Sequence, residues 1–441
     1  MNKYLSFTRM KELLIVAFPL IIQNSFRMFL GIADKIFVGQ LGENSIAGVG
    51  GANQLFGLFL TIFFSFSAGL TVLSSQYLGS EKKKDFSKMF STVIAFSVLI
   101  GFSLIIIFNL YSKNFLSLMN IKNEALNIAN LYFSIIIPTF LFSLLSSNMS
   151  SFFISIKKNI FPMLATFISL SINALGDWYF IFVADMGVKG VAYATLIARI
   201  SEFIFITAFL IIYFKKKEIP FIFSFDISKF KKLMNISLPM SIDGAVWQFA
   251  MVVHTSLVFL IGVSEVAVFE IMKVFQQIVL TPITAIAAAS VGILGNELGK
   301  KKFNEARAKS VNAIIMSISL TTIFIVVVLV FKNQIFSLFK IDESTLKLGL
   351  NSLNFIIVLI YAQTFNIILP FILRTGGDTW ANLLITIIGF WGIQLPLTYF
   401  LGLKLSYGLY GIIVAMIISE SSKGLLFFIR YKKEKWMKNL T

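Results

Sequence analysis

Residues 18–42 read FPLIIQNSFRMFLGIADKIFVGQLG, an apolar stretch with a proline near its start and a carboxylate, Asp34, deep in its second half. A stretch of this length is enough for a helix to cross the hydrocarbon core of a bilayer. A carboxylate inside an apolar helix is energetically costly, and such residues usually mark the path of an ion or a substrate. The stretch therefore predicts a membrane helix with a role in transport.

Apolar runs of similar length recur along the whole chain. Of the 441 residues, 57% are hydrophobic and 13% are charged, and the mean hydropathy is +0.86. This composition excludes a soluble globular domain and predicts an all-α polytopic membrane protein. We predict twelve spans, numbered 1 to 12, at about 13–39, 45–78, 90–110, 125–156, 160–183, 187–214, 233–261, 266–298, 311–331, 346–373, 380–403 and 407–429.

The distribution of positive charge predicts the orientation of the chain. With the N-terminus inside, most lysines and arginines fall in cytoplasmic segments, as the positive-inside rule requires. We therefore expect a multi-pass protein of the plasma (inner) membrane with both termini in the cytoplasm. The net charge of +17 then needs no nucleic-acid partner. The main basic segments are 82–88, 215–232, 300–309 and 430–438.

The two halves of the chain repeat at an offset of 220 residues. Pro19 matches Pro239, and the pair Leu78-Gly79 matches Leu298-Gly299. Each half has six spans, an even number, so both halves have the same orientation and surround a cavity. We predict an N-lobe at 1–214, a cytoplasmic linker at 215–232 and a C-lobe with a basic tail at 233–441.

Four polar residues of the first half lie at similar depths in their spans. Asp34 is roughly 8 Å from the outer end of span 1, and both Asp177 in span 5 and Thr195 in span 6 are roughly 12 Å deep. Asn173 lies one helical turn below Asp177 on the same face. Such oxygen ligands suit Na⁺, whereas two carboxylates in a low dielectric also favour a bound proton. Either ion could be the coupling ion.

With these motifs the chain resembles the MATE family, the multidrug and toxic compound extrusion transporters. The resemblance covers nearly the whole chain. It is carried by the FP…D…VGQLG pattern of span 1, the sequence SSQYLGSEKKKDF after span 2, the N-x-x-x-D of span 5 and the G-V-x-G-x-A-x-A-T that opens span 6.

The resemblance implies a fold, an activity and a set of site residues. The fold is twelve helices in two pseudo-symmetric six-helix lobes, and the activity is export of cationic or amphiphilic drugs in exchange for Na⁺ or H⁺. Family members of this type bind the coupling cation at residues that correspond to Asp34, Asn173, Asp177 and Thr195. Pro19 corresponds to the proline at which span 1 bends. No cofactor other than the coupling ion is expected.

Several residues allow more than one interpretation. Arg27 and Lys35 could each pair with Asp34. Asp243 could face the cavity or pair with Arg27, and His254, the only histidine and the counterpart of Asp34 at offset 220, could bind a proton or substrate. The i, i+3 pairs Arg199–Glu202 and Glu270–Lys273 are predicted to be internal ion pairs. Residues that could line a soft substrate cavity include Arg27, Met28, Asp243, Trp247 and His254.

Two other functions remain possible from the sequence. A lipid-linked oligosaccharide flippase of the same superfamily would use a basic cavity, and Arg27, Lys35 and Lys273 are compatible with one. A membrane enzyme is the other, although the chain lacks the common catalytic and P-loop motifs and has no cysteine. We predict an antiporter, not an enzyme, that is monomeric and contacts lipid and a small organic cation or amphiphile.

Overall fold

The computed structural model describes residues 6–118, 121, 123–215, 219–337, 339 and 342–441. Within those ranges the regular structure is entirely helical, with no β-strand. This agrees with the predicted fold class, because only helices satisfy the backbone hydrogen bonds of a single span in lipid. Residues 216–218 of the predicted linker lie outside the described part of the chain.

Each predicted span corresponds to a helix or to a short series of helices. Spans 1 to 4 are Phe7–Gly39, Glu43–Gly79, Lys83–Leu118 and the pair Asn123–Ile136 with Thr139–Ser155. Spans 5 and 6 are Ile160–Trp178, continued by Tyr179–Val183, and Gly187–Lys215. Spans 7 and 8 are Ile227–Phe259 and Val263–Gly299. Span 9 is Phe303–Val330, followed by the short helix Lys332–Ser337, and span 10 is Glu343–Thr375. Span 11 runs through Thr379–Ile387, Ile388–Gln394, Leu395–Leu397 and Thr398–Lys404, and span 12 is Gly408–Lys432.

Eleven helices of the described residues are long and apolar enough to cross a membrane, and the number becomes twelve when the bent pair of span 4 is one crossing. The two helices of that pair meet at an angle of 50°. Pro138 occupies the break between them. Proline has no backbone N–H and its ring clashes with the preceding turn, which explains the bend at this position.

Spans 5 and 11 both change from α-helix to π-helix in their second halves. In span 5 the π-helix is Tyr179–Val183, which begins two residues after Asp177. In span 11 there are two π-helical segments, Ile388–Gln394 and Thr398–Lys404. Short π-helical segments are uncommon and often lie at functional positions.

The chain divides into two compact units. One contains residues 22–241, and its core is rich in phenylalanine, with Phe108, Phe133 and Phe140 fully buried. The other contains residues 1–21 and 242–441. The first half of span 1 packs within this second unit, where Leu13 and Leu20 join a buried cluster with alanines of span 8. The predicted lobe boundaries stay a prediction.

Candidate cation-binding site

Spans 1 and 5 pack side by side in one register. Gln23 Nε2 donates to Thr166 Oγ1 at 2.7 Å. Towards the C-terminal ends of the two spans, the rings of Phe26 and Phe167 are 4.8 Å apart, and those of Phe37 and Phe182 are 6.0 Å apart. All three contacts join residues separated by 141 to 145 positions. Asp34 and Asp177 have the same separation, so this packing brings the two acids together.

The carboxyl groups of Asp34 and Asp177 lie within interaction range of each other. Asp177 is fully buried, and Asp34 is half-buried. Neither oxygen of Asp177 has a hydrogen-bond partner among the described residues, and the same holds for Nδ2 of the nearby Asn173. Two ionised carboxylates accept but do not donate hydrogen bonds. A proton or a cation between them would satisfy both.

Span 6 brings Thr195 towards these acids. Spans 5 and 6 run antiparallel, and Ser169 Oγ donates to the carbonyl oxygen of Ala198 at 2.7 Å. One to two turns further out, the helices approach so closely that a Cβ on Gly176 would lie 3.0 Å from the Cβ of Ala194. This register places Thr195 beside the helical turn that carries Asn173 and Asp177.

Tyr132 of span 4 completes the polar group and was missed by the sequence analysis. Its hydroxyl donates to Asn53 Oδ1 at 3.3 Å and also hydrogen-bonds to the side chain of Thr195. Asp34 and Asp177 are close enough to act on it electrostatically. A lone tyrosine or asparagine in an apolar span is too common a pattern to predict a site, so only the fold identifies these two residues.

The arrangement can hold one small hard cation or a proton. The available oxygen donors are the two carboxylates, the Thr195 hydroxyl and the amide oxygen of Asn173. Among the described residues there is no cluster of three or more His, Asp or Glu that could hold a metal ion. These oxygen donors are of the kind that a hard cation such as Na⁺ prefers, and two neighbouring carboxyl groups can also share a proton.

Arg27 forms a separate ionic group with span 6. Its Nη2 lies 3.3 Å from Glu202 Oε1, and Arg199 Nη1 lies 2.9 Å from Glu202 Oε2. Thr166 Oγ1 donates to the same carboxylate at 2.9 Å. The alternative in which Arg27 pairs with Asp34 is therefore wrong. The predicted ion pair between Arg199 and Glu202 is confirmed.

The other unit contains the remaining predicted residues. Asp243 is buried and pairs with Arg374, which rules out the predicted pair with Arg27. His254 is buried against the ring of Phe269, and neither ring nitrogen has a partner among the described residues. The predicted ion pair between Glu270 and Lys273 is confirmed at 2.6 Å.

The predicted cavity residues differ in exposure. Trp247 is 45% exposed, Met28 is half-buried and His254 is 1% exposed. Exposure alone does not distinguish a substrate cavity from a lipid-facing surface. The cavity roles of Met28, Trp247 and His254, and the bending of span 1 at Pro19, stay predictions.

Eleven or twelve apolar spans with acids facing each other inside one unit define a polytopic helical membrane transporter. A family profile described as MatE matches residues 19–179 and 239–400, more than half of the chain. The chain belongs to this family, the MATE transporters, as its motifs predicted. Members of the family are transporters, so the alternative of a membrane enzyme is wrong.

Two bacterial relatives are similar to this chain over almost their full length. The chain is 24% identical to an uncharacterized transporter, YisQ, of Bacillus subtilis, over 96% of this chain and 94% of the relative. It is 22% identical to a probable multidrug resistance protein, NorM, of Thermotoga maritima, over 96% of this chain and 93% of that protein.

Solved structures agree on the fold. A multidrug resistance MATE family transporter of the MOP superfamily, in an outward-facing conformation, matches with a TM-score of 0.90 at 20% identity, covering 97% of this chain and 96% of that one. A MOP superfamily transporter from Pyrococcus furiosus, whose binding pocket is described as having reverse polarity, matches with a TM-score of 0.88 at 20% identity, covering 97% of this chain and 96% of that one.

Proposed function

We propose that the protein is a secondary active antiporter that exports cationic or amphiphilic organic compounds in exchange for Na⁺ or H⁺. The coupling ion binds at Asp34, Asn173, Asp177 and Thr195. Family membership and the names of the relatives support export of drug-like compounds. The observation that carries the coupling role is the pair of neighbouring acids, of which Asp177 has two buried oxygens without a hydrogen-bond partner among the described residues.

The two acids explain how an ion gradient could drive the cycle. Without an ion, two negative charges repel each other inside a low-dielectric environment, and with one ion the repulsion is removed. An ion shifts a conformational equilibrium only when it binds the two conformations with different affinity. Because Asp34 and Asp177 lie on different spans, any movement of span 1 against span 5 changes that affinity. Span 1 moves about Pro19, where the helix lacks one backbone hydrogen bond.

The test is transport in vesicles with imposed Na⁺ and pH gradients that are varied separately. Asp34→Asn and Asp177→Asn are expected to abolish gradient-driven dye transport. The amide of asparagine neither carries a negative charge nor binds a proton near neutral pH. Asp185→Asn is the matched control, because Asp185 is exposed and its φ of 48° suits asparagine. Coupled transport at the wild-type rate in both site variants would refute the role of the acids.

We further propose that the protein is a monomer in the plasma (inner) membrane with both termini in the cytoplasm. The basic segments favour this orientation by the positive-inside rule. Its partners are the exported compound and membrane lipid, and no cofactor or nucleic acid takes part.

A lipid-linked oligosaccharide flippase is a second candidate. The observation in its favour is the accessible guanidinium of Arg27, because such substrates carry a pyrophosphate. Growth rescue of a flippase-deficient strain, without dye export, would favour this function. Dye export without rescue would favour the antiporter.

A further inference from the structure

We propose that Arg27 is a substrate-binding residue that recognises an oxyanion, either a carboxylate or a phosphate, on the exported amphiphile. The substrate class is then a zwitterion that also carries a basic group. This inference rests on the proposed export function and deepens it, because it assigns a charge pattern to the substrate. It concerns residues of the unit 22–241 alone.

Arg27 lies well inside span 1, several turns from either end of the helix. Span 1 runs from Phe7 to Gly39. Arg27 is thus roughly 30 Å from its inner end and roughly 18 Å from its outer end. An arginine side chain at that depth is too far from either surface to reach the headgroups. Charged residues at such depths face the protein interior or a water-filled cavity.

The guanidinium of Arg27 contacts protein, but part of the side chain is still exposed. Its side chain is 47% exposed, whereas that of its partner Glu202 is only 8% exposed. Thr166 of span 5 and Glu202 of span 6 both bind Nη2, which fixes one edge of the guanidinium against the protein. Because a charged group within a span avoids lipid, we infer that the exposed part of the guanidinium faces a water-filled cavity.

The ionic group around Arg27 has an excess of positive charge. Arg27 and Arg199 share one carboxylate, that of Glu202. Glu202 also accepts a hydrogen bond from Thr166, so its oxygens are well satisfied. A buried positive charge that is not balanced by a fixed carboxylate is costly, and an anionic ligand would remove that cost.

The free donors of Arg27 have the geometry for such a ligand. Its two hydrogen bonds, to Thr166 and to Glu202, both use Nη2. Within the described part of the chain Nε and Nη1 therefore have no partner. A guanidinium fork with free N–H groups binds a carboxylate or a phosphate more strongly than a neutral acceptor.

The position of the acids gives the second half of the charge pattern. Asp34 follows Arg27 by seven residues, which places it on nearly the same face of span 1 and roughly 10 Å further out. A basic group of the substrate would meet the carboxylates when the coupling ion has left. The substrate that satisfies both ends carries its acidic and basic groups about 10 Å apart.

The experiment compares a fluorescent xanthene dye that carries a free carboxylate and an amine with its methyl ester, which keeps the amine alone. Binding to purified protein is measured by fluorescence anisotropy, and transport is measured in vesicles. Wild-type protein is expected to bind the carboxylate dye more tightly. Arg27→Gln should weaken binding of this dye about ten-fold and leave binding of the ester unchanged, since a charged hydrogen-bonded pair is lost. Arg27→Lys should keep part of the preference.

The matched control is Lys35→Gln, which removes an exposed cation from the same helix. It should not change the ratio of the two affinities. Equal weakening of both dyes by Arg27→Gln would show a structural role and overturn the proposal, as would no change in either. If Arg27→Gln does not fold, Arg27→Lys decides: a preference for the carboxylate dye that is weaker than that of the wild type supports the proposal, whereas a preference equal to that of the wild type, or no preference in the wild type itself, overturns it.

Two further measurements complete the experiment. The first distinguishes a lipid phosphate from a small amphiphile as the source of the oxyanion. The second distinguishes oxyanion binding at Arg27 from the proposed antiport function. Competition by a short-chain phosphatidic acid vesicle, stronger in wild type than in Arg27→Gln, would support recognition of a lipid phosphate; competition by the carboxylate dye alone would support a small amphiphile. Dye binding with the expected preference but no gradient-driven transport would refute the antiport function and leave the oxyanion subsite intact.

Discussion

At the level of single residues, Asp177 has the most unusual environment in the candidate cation-binding site. The side chain is fully buried, its oxygens have no partner among the described residues, and another carboxyl group lies within range. Such an arrangement is unfavourable unless a proton or cation occupies it, because each ionised carboxylate has lost its hydration. In the proposed antiport function, this cost is retained because binding of the coupling ion at Asp177 drives transport.

Tyr132 is expected to support the ion site through its hydroxyl. The Tyr132→Phe change removes the hydrogen bonds to Asn53 and Thr195 while keeping the ring. Loss of about 1 kcal/mol of hydrogen bonding should raise the cation concentration for half-maximal transport about five-fold. Tyr111→Phe, at an exposed position of span 3, is the control and should leave that concentration unchanged. Identical values for both variants would contradict a role for Tyr132.

At the level of helices, spans 5 and 6 form one hairpin, and spans 11 and 12 form the equivalent hairpin of the second half. Close packing fixes the connected ends of the two helices in each hairpin. A Cβ on Gly190 would lie 2.6 Å from Phe180 Cβ. Gly411 matches Gly190 in the repeat after one inserted residue, and a Cβ on it would lie 2.6 Å from the carbonyl oxygen of Leu401. In each hairpin the second helix therefore contacts the π-helical end of the first directly. This contact holds the turn that follows Asp177 in place.

Alanine at these two glycines should destabilise the protein. We expect Gly190→Ala and Gly411→Ala each to lower the free energy of unfolding by about 1–3 kcal/mol, because neighbouring atoms must move to make room. Gly411→Ala should have the larger effect, since its neighbours are backbone atoms. Thermal melting in detergent measures both.

Gly50→Ala is the control for this comparison. Gly50 lies inside span 2, and a Cβ there would meet nothing within 4 Å. Alanine favours helix over glycine, so this variant should melt at or slightly above the wild-type temperature. A loss of stability at Gly50 equal to that at Gly411 would show that the effect does not depend on close packing around the glycine.

At the level of the whole molecule, the 220-residue repeat reappears in the division into units. The unit 22–241 begins three residues after Pro19 and ends two residues after Pro239. Spans 1 and 7 are therefore each divided at equivalent positions, although each is a continuous helix by its hydrogen bonds. The first half of span 1 is held in its unit by ion pairs, including Arg9–Glu305 at 2.9 Å.

The orientation of the whole chain can be tested because it has no cysteine. Single cysteines can be introduced at exposed lysines and labelled with a membrane-impermeant maleimide in intact cells. Lys113→Cys, near the outer end of span 3, should react, and Lys84→Cys, at its inner end, should react only after the cells are opened. The reverse pattern would place both termini outside and contradict the proposed orientation.

Sequence alone determined the fold class, the approximate position of each span and the repeat, and it predicted the four oxygen-bearing residues of the proposed ion site. Hydropathy and span length are local properties that lipid makes obligatory, so they are visible in the chain itself. Asp34 and Asp177 were conspicuous because a carboxylate is rare in such a setting. A tyrosine in an apolar span, such as Tyr132, is too common to give a comparable signal.

Only the tertiary structure decided which partners these residues have. Arg27 pairs with Glu202 and not with Asp34, and Asp243 pairs with Arg374 and not with Arg27. Helical periodicity gives the face on which a side chain lies, but its partner depends on how neighbouring helices are rotated and shifted against each other. Those quantities are set by packing among residues far apart in the sequence, so no local pattern contains them.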